Sequence, residues 1–182
     1  MGLRSNKMCT AKCRTSEHLS GDTRMRKQII TPGSQRTSKP EPAWLDLARL
    51  AQVEITSEEA EFPIESALIP GSGTGWRAAE SGKQTIRLKF DEPQKIRRIH
   101  VQFREPSGGE RTQEFVLSWS AEGAQQSREI VRQQYNFSPP DAISQSEDYD
   151  VNLDNVAALE LVIVPDKNGG SLRASLEQLR LA

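Results

Sequence analysis

Four stretches of this chain repeat one pattern, an apolar side chain at every second position. Ile86, Leu88 and Phe90 alternate with Arg87 and Lys89, and Ile99, Val101 and Phe103 alternate with His100, Gln102 and Arg104. Phe115, Leu117 and Trp119 alternate with Glu114, Val116 and Ser118, and Tyr149, Val151 and Leu153 form a fourth set. A period of two sends successive side chains to opposite faces, so each stretch reads as a strand with one face in a core and one in water. Leu159 to Val164 is more continuously apolar, as expected of a central strand covered on both faces. Val53 to Thr56, Ile130 to Tyr135 and Leu172 to Leu181 complete the strand candidates.

Turn-forming residues punctuate these runs at Asp91-Glu-Pro, Pro106 to Arg111, Ala121-Glu-Gly-Ala, Asn136 to Asp141 and Pro165 to Gly170. Ahead of the first alternating run lies Ile69-Pro-Gly-Ser-Gly-Thr-Gly-Trp76, whose glycines at 71, 73 and 75 let the backbone double back. Helix is confined to two short pieces. Trp44, Leu47, Leu50 and Ala51 share a helical face, and Pro63 to Leu68 reads as one turn with proline where a first-turn N–H lacks a partner anyway. The expected fold is therefore all-β, an antiparallel jelly-roll sandwich of about eight strands with a short N-terminal helix.

The formal charge of −1 hides a division. Residues 1–40 carry nine Lys or Arg against two acids, a net +7, while residues 41–182 carry fifteen against twenty-three, a net −8. The arm has almost no apolar periodicity and is expected to be disordered, and residues 41–182 are enough to bury a real core. Its basic character could hold nucleic acid or an acidic surface only weakly. A solvated tail, or a start codon placed upstream of a true start at Met25, is the plainer account. Cys9 and Cys13 both lie in the arm and the remainder has none, which fits a reducing cytoplasm. With His18 they match no zinc-finger spacing, and no secretory apolar run or membrane-length segment is present. A soluble, cytoplasmic, bacterial-type protein is expected.

The order of signals resembles the discoidin, or coagulation factor type C, domain of the galactose-binding-like β-sandwich superfamily. The residues that carry it are Pro63 to Leu68, Gly75-Trp76-Arg77, Gln84 to Pro93, Lys95 to Phe103, Glu114 to Gly123 and Ala174 to Leu181, so that it spans about Val53 to Ala182. The resemblance implies non-catalytic binding, often of glycans, sometimes of lipid headgroups or proteins, through loops at one end of the sandwich. It also implies a structural calcium in the loop matching Ala67 to Trp76. Calcium seeks about six to eight oxygens including carboxylates. This loop has no carboxylate, and Gln178 stands where a carboxylate is often found, so no metal or cofactor is expected.

A glycan site asks for an aromatic face against the apolar side of a sugar ring and for planar donors or carboxylates against its hydroxyls. Loop positions of those types are Trp76, Arg77, Arg111, Tyr135, Asn136, Asp166 and Asn168, which form the candidate ligand-binding set; Phe137 and Lys167 are further loop residues of these types. For Trp76 the competing reading is a plug in the sandwich. Catalysis is not expected. His100 is the one histidine after residue 40 and sits on the polar phase of a strand, and no pair of carboxylates is singled out for glycoside hydrolysis. The glycine loop lacks the lysine and the helix that a phosphate cradle needs. The reading from sequence is a binding module for a carbohydrate or other polar ligand; the alternative is a structural or adaptor domain that binds a protein partner.

Overall fold

The computed structural model describes residues 43–71, 73–105 and 109–182. They lie within one compact unit, Pro40–Ala182. The basic arm, with Cys9, Cys13, His18 and Met25, lies outside the described residues, as does part of the expected loop after Glu105.

Two helices of one turn each, α1 (Leu47–Leu50) and α2 (Glu65–Leu68), accompany eight strands. These are β1 (Ala51–Ile55), β2 (Trp76–Ser81), β3 (Gln84–Arg104), β4 (Arg111–Ala121), β5 (Arg128–Phe137), β6 (Ser144–Val164), β7 (Arg173–Leu176) and β8 (Gln178–Leu181). All pairings are antiparallel. The larger sheet runs β1-β3-β6-β4-β5 with β8 added to β3, and β2 pairs β7 separately. The fold is an all-β jelly-roll sandwich.

β3 and β6 build both layers. The first half of β3 pairs with β1 and with the second half of β6, from Gln84 opposite Ile163 to Lys89 opposite Ala158. The second half pairs with the first half of β6, from Ile99 opposite Tyr149 to Arg104 opposite Ser144, and with β8. Between them the register shifts at Lys89, Gln94 and Ile96, which turns the two strands together around a corner. The turn expected at Asp91-Glu-Pro is this corner; Pro93 interrupts no pairing there because the ladder is already broken by the shifts. Likewise Ser144–Val164 is one strand rather than two, with Asn155 at φ 60° beside the corner.

Three further expectations shift. The N-terminal helix is confined to Leu47–Leu50, and Ala51 already begins β1. β2 goes unannounced by the alternation, because Trp76-Arg-Ala-Ala-Glu-Ser has only two buried positions at its start. Leu159–Val164 is central, between β3 and β4, yet its outward residues Glu160 and Val162 are only half-buried.

The alternating residues fill the interior as their period requires. Ile86, Leu88, Ile99, Val101, Phe103, Phe115, Leu117, Leu159, Leu161 and Ile163 are each at most 1% exposed. Phe103 and Phe115 meet across the two layers with ring centroids 4.9 Å apart.

Candidate functional site

Folding β3 over its corner brings both of its ends to the same rim. Gln84, Arg111, Phe137 and Val164 lie there in the first layer, and Arg104 and Ser144 in the second. The two-stranded β2–β7 sheet is tied to this rim because the Ser175 hydroxyl donates to the Arg104 carbonyl at 2.7 Å. Gly75, at φ 85°, lets the chain turn into β2 against the backbone of Leu176 and Glu177.

Two adjoining hollows open on this small sheet. One of 220 Å³ is lined by Glu59, Arg77, Glu105, Arg173 and Ser175 among others. The other, of 280 Å³, is lined by Phe62, Thr74, Trp76, Arg104 and Glu177, and shares Arg77 and Ser175 with the first. Arg77 is the partition. Its guanidinium lies 4.4 Å from the centre of the Phe62 ring and 3.7 Å from the Glu59 carboxylate. Glu59 is held from the other side by Arg173, and Glu177 accepts from Gln102 at 3.1 Å with Arg104 at 4.0 Å. The cleft thus presents planar cations, carboxylates and a hydroxyl around the β2–β7 sheet, with an aromatic ring beside them.

The sequence-predicted residues divide between this cleft and a second group. Arg77 is in the cleft. Trp76 is 1% exposed and forms the wall behind it, so of its two readings the plug in the sandwich holds and its place in the ligand-binding set is corrected: as the first residue of β2, opposite Leu176, its ring points into the core. Arg111 is corrected as well. It is not a loop residue but the first of β4, its side chain is 2% exposed, and it pairs with Glu105. It also donates to Gln113 Oε1 at 3.2 Å and to the Arg173 carbonyl at 3.4 Å. Burial pulls its pKa below the ordinary guanidinium range, opposed by the Glu105 carboxylate. Arg111 therefore anchors the cleft from beneath.

Tyr135, Asn136, Asp166 and Asn168 gather around the head of β4, away from the cleft's lining. Tyr135 is half-buried, donates its hydroxyl to the Ser144 carbonyl at 3.1 Å and packs edge-on to Phe137. Asn136 accepts from the Thr112 hydroxyl at 2.8 Å, and Asp166 accepts from the Asn168 N–H at 3.0 Å. Next to them Lys167 donates to Glu114 at 2.8 Å. That bond, with those from Gln134 and Arg132, holds the Glu114 carboxyl below the usual carboxylate range.

Phe62, Glu59, Arg173 and Glu177 are among the cleft residues that sequence reasoning passed over. A signal existed for Phe62, the one aromatic in the polar run Ser57 to Pro63. Glu59 and Arg173 carry none, since a 114-residue separation unites them only in the fold. Among the described residues no group of three or more His, Cys, Asp or Glu could hold a metal. In particular the carbonyls of the glycine loop, without a carboxylate, do not fit calcium.

No protein-family model matches the sequence, and no curated protein does. Solved structures do. The family 32 carbohydrate-binding module of C. perfringens NanJ, in complex with galactose, superposes with a TM-score of 0.55 over 76% of this chain and 96% of that one, at 16% identity. The CBM32 of AlyQ, in complex with 4,5-unsaturated mannuronic acid, has the same TM-score over 78% of this chain and 98% of that one, at 13% identity. A Ruminococcus gnavus GH29 fucosidase, in complex with fucose, matches 74% of this chain at 8% identity and a TM-score of 0.55, but only 26% of its own chain is involved. The chain therefore shares the β-sandwich fold of these carbohydrate-binding modules.

Proposed function

We propose that this protein is a non-catalytic carbohydrate-binding module whose ligand sits in the rim cleft between Phe62, Arg77, Glu59, Arg173 and Glu177. The observation that carries the reading is the fixed position of Arg77, stacked on Phe62 and paired with Glu59, at the junction of two hollows. A sugar hydroxyl pair is met well by a planar donor next to a carboxylate, and the Glu59 N–H bond to the Arg77 carbonyl at 2.9 Å holds the two side by side. Two neighbours matched over nearly their whole length were solved with sugars bound, galactose and 4,5-unsaturated mannuronic acid, which supports this ligand class.

Binding rather than turnover is supported by the state of the carboxylates. Glu59, Glu105 and Glu177 each lie in an ion pair with an arginine. His100 lines neither hollow and lies beside Trp44 and Asp148. The absence of cysteine from residues 41–182 suits a reducing compartment, and we place the protein in the cytoplasm.

Titration calorimetry with galactose, N-acetylgalactosamine and mannuronate tests the reading. At least one sugar binds, and Arg77→Ala weakens it by about tenfold or more, because a hydrogen bond from a charged donor is worth ~1.5 to 3 kcal/mol. Equal affinity in the wild type and in Arg77→Ala, or no heat with any of the sugars at millimolar concentration, removes it.

A further inference from the structure

A larger hollow lies elsewhere, on the outer face of the five-stranded layer toward the opposite end of the sandwich. It measures 430 Å³ and is bordered by Arg87, Lys89, Glu160, Ser120 and the turn Ala124 to Ser127. Two cross-strand rows make its floor. Lys89, Ala158 and Ser120 are direct neighbours across β3, β6 and β4, and Arg87, Glu160 and Ser118 form the next row. In each row the β4 residue is much shorter than the β3 residue, and Ala158 leaves the middle of the first row low, so the surface drops away from β3 across about 10 Å of sheet.

On the high side the wall is fixed. Lys89 pairs with Glu54, and Arg87 bridges Glu54 at 3.4 Å and Glu160. On the low side Gln125, Gln126 and Ser127 rise from the turn between β4 and β5, and Trp119 reaches the rim with the Arg128 guanidinium 5.8 Å from its ring centre. Two cations thus face two carboxylates that already bind them, so the trough offers no unmatched charge to an ion. What it offers is amides, hydroxyls and an aromatic edge.

We propose that this trough is a second glycan-binding site, taking a neutral oligosaccharide laid across the strands. The inference does not depend on the rim cleft. An anionic sugar would have to displace Glu54 and Glu160 from Arg87 and Lys89, whereas neutral hydroxyls can share those groups and the glutamine amides. With the rim cleft at the other end, one molecule would hold two chains, or two points of one chain, of a polysaccharide.

The test is a titration of the full-length protein followed by amide NMR, using the hexasaccharides of cellulose, xylan, mannan and β-1,4-galactan, with hexagalacturonate as the charged control. At least one neutral hexasaccharide is expected to shift the amides of Ser118, Ser120 and Gln125 to Ser127, and hexagalacturonate to leave them in place. Ala158→Ile fills the floor with a strand-favouring side chain and abolishes those shifts, and Gln125→Ala with Gln126→Ala weakens the binding about tenfold. Arg77→Ala leaves the trough shifts unchanged, so the two sites fail separately. The proposal is overturned if no neutral hexasaccharide moves these amides at millimolar concentration, if the shifts persist in Ala158→Ile, or if hexagalacturonate alone produces them.

Discussion

Arg111 and Glu105 show how burial changes what a charge does. Neither side chain is more than 3% exposed, so the pair is worth little net and each member is costly without the other. Arg111→Ala should therefore lose about 3–5 kcal/mol of stability in urea denaturation, while the double change Arg111→Met with Glu105→Leu should lose far less, because no orphan charge remains. Tyr149 gives a pH test. Its hydroxyl donates to Gln133 at 2.6 Å, and burial, with the Glu147 carboxylate adding to it, pushes its pKa from 10.0 up to about 12. The neutral phenol is thus favoured by the folded state. Its contribution is complete below pH 10.0 and is lost as pH rises toward 12, when the unfolded chain ionises first. Tyr149→Phe should be less stable than wild type at neutral pH, and the gap should narrow between pH 10 and 12 in paired thermal melts. A gap that stays constant would show that the phenol does not titrate as described.

At the level of elements, the strands with strict alternation were legible and the joints between them were not. Ile86, Leu88 and Phe90 face the core because a period of two with one apolar phase has a single buried solution. Asp91-Glu-Pro has turn composition, and local preference cannot tell a tight turn from a corner at which two paired strands bend together. β2 was hidden for another reason: Trp76 and Ala78 alone give too short an apolar phase, and its partner β7 lies about a hundred residues away. The two-stranded sheet they form depends on Gly75. A Cβ there would lie 2.6 Å from the Leu176 carbonyl oxygen and 2.8 Å from Glu177 Cα, whereas one at Gly82, at the same φ of 85°, meets nothing within 4 Å. Gly82→Ala should cost about 1–2 kcal/mol, the penalty for a left-handed residue with a Cβ. Gly75→Ala adds a backbone collision and should cost more than about 3 kcal/mol. Urea midpoints of the two variants decide it; equal losses would mean that the approach of β7 is not as close as described.

For the molecule as a whole, the rim was foreseeable because a sandwich exposes its loops at its ends, and Arg77 was foreseeable as a polar residue following a glycine loop. The cleft's other groups were not, since Glu59, Arg173 and Glu177 become neighbours only through pairings that a single sequence does not encode locally. The trough was out of reach for the same reason: Lys89, Ala158 and Ser120 meet by register alone. The two ends of the chain make opposite demands on this architecture. Leu179 and Leu181 are each 1% exposed, and Ala182 accepts a backbone hydrogen bond from Arg98 at 2.8 Å, so the last residues close the edge of β3. Removing residues 179–182 deletes two buried leucines, each worth about 2 kcal/mol or more, from a fold whose total stability is of order 5–15 kcal/mol. The +7 arm supplies almost no apolar residues in a core-forming pattern. Calorimetry should therefore find that a chain starting at Pro40 melts within about 4 °C of the full-length protein, the shift that ~1 kcal/mol produces at this size. The chain ending at Glu177 or Gln178 should melt far lower or not cooperatively at all. A large loss on removing the arm, or none on removing the last four residues, would contradict a sandwich sealed by its C-terminal strand.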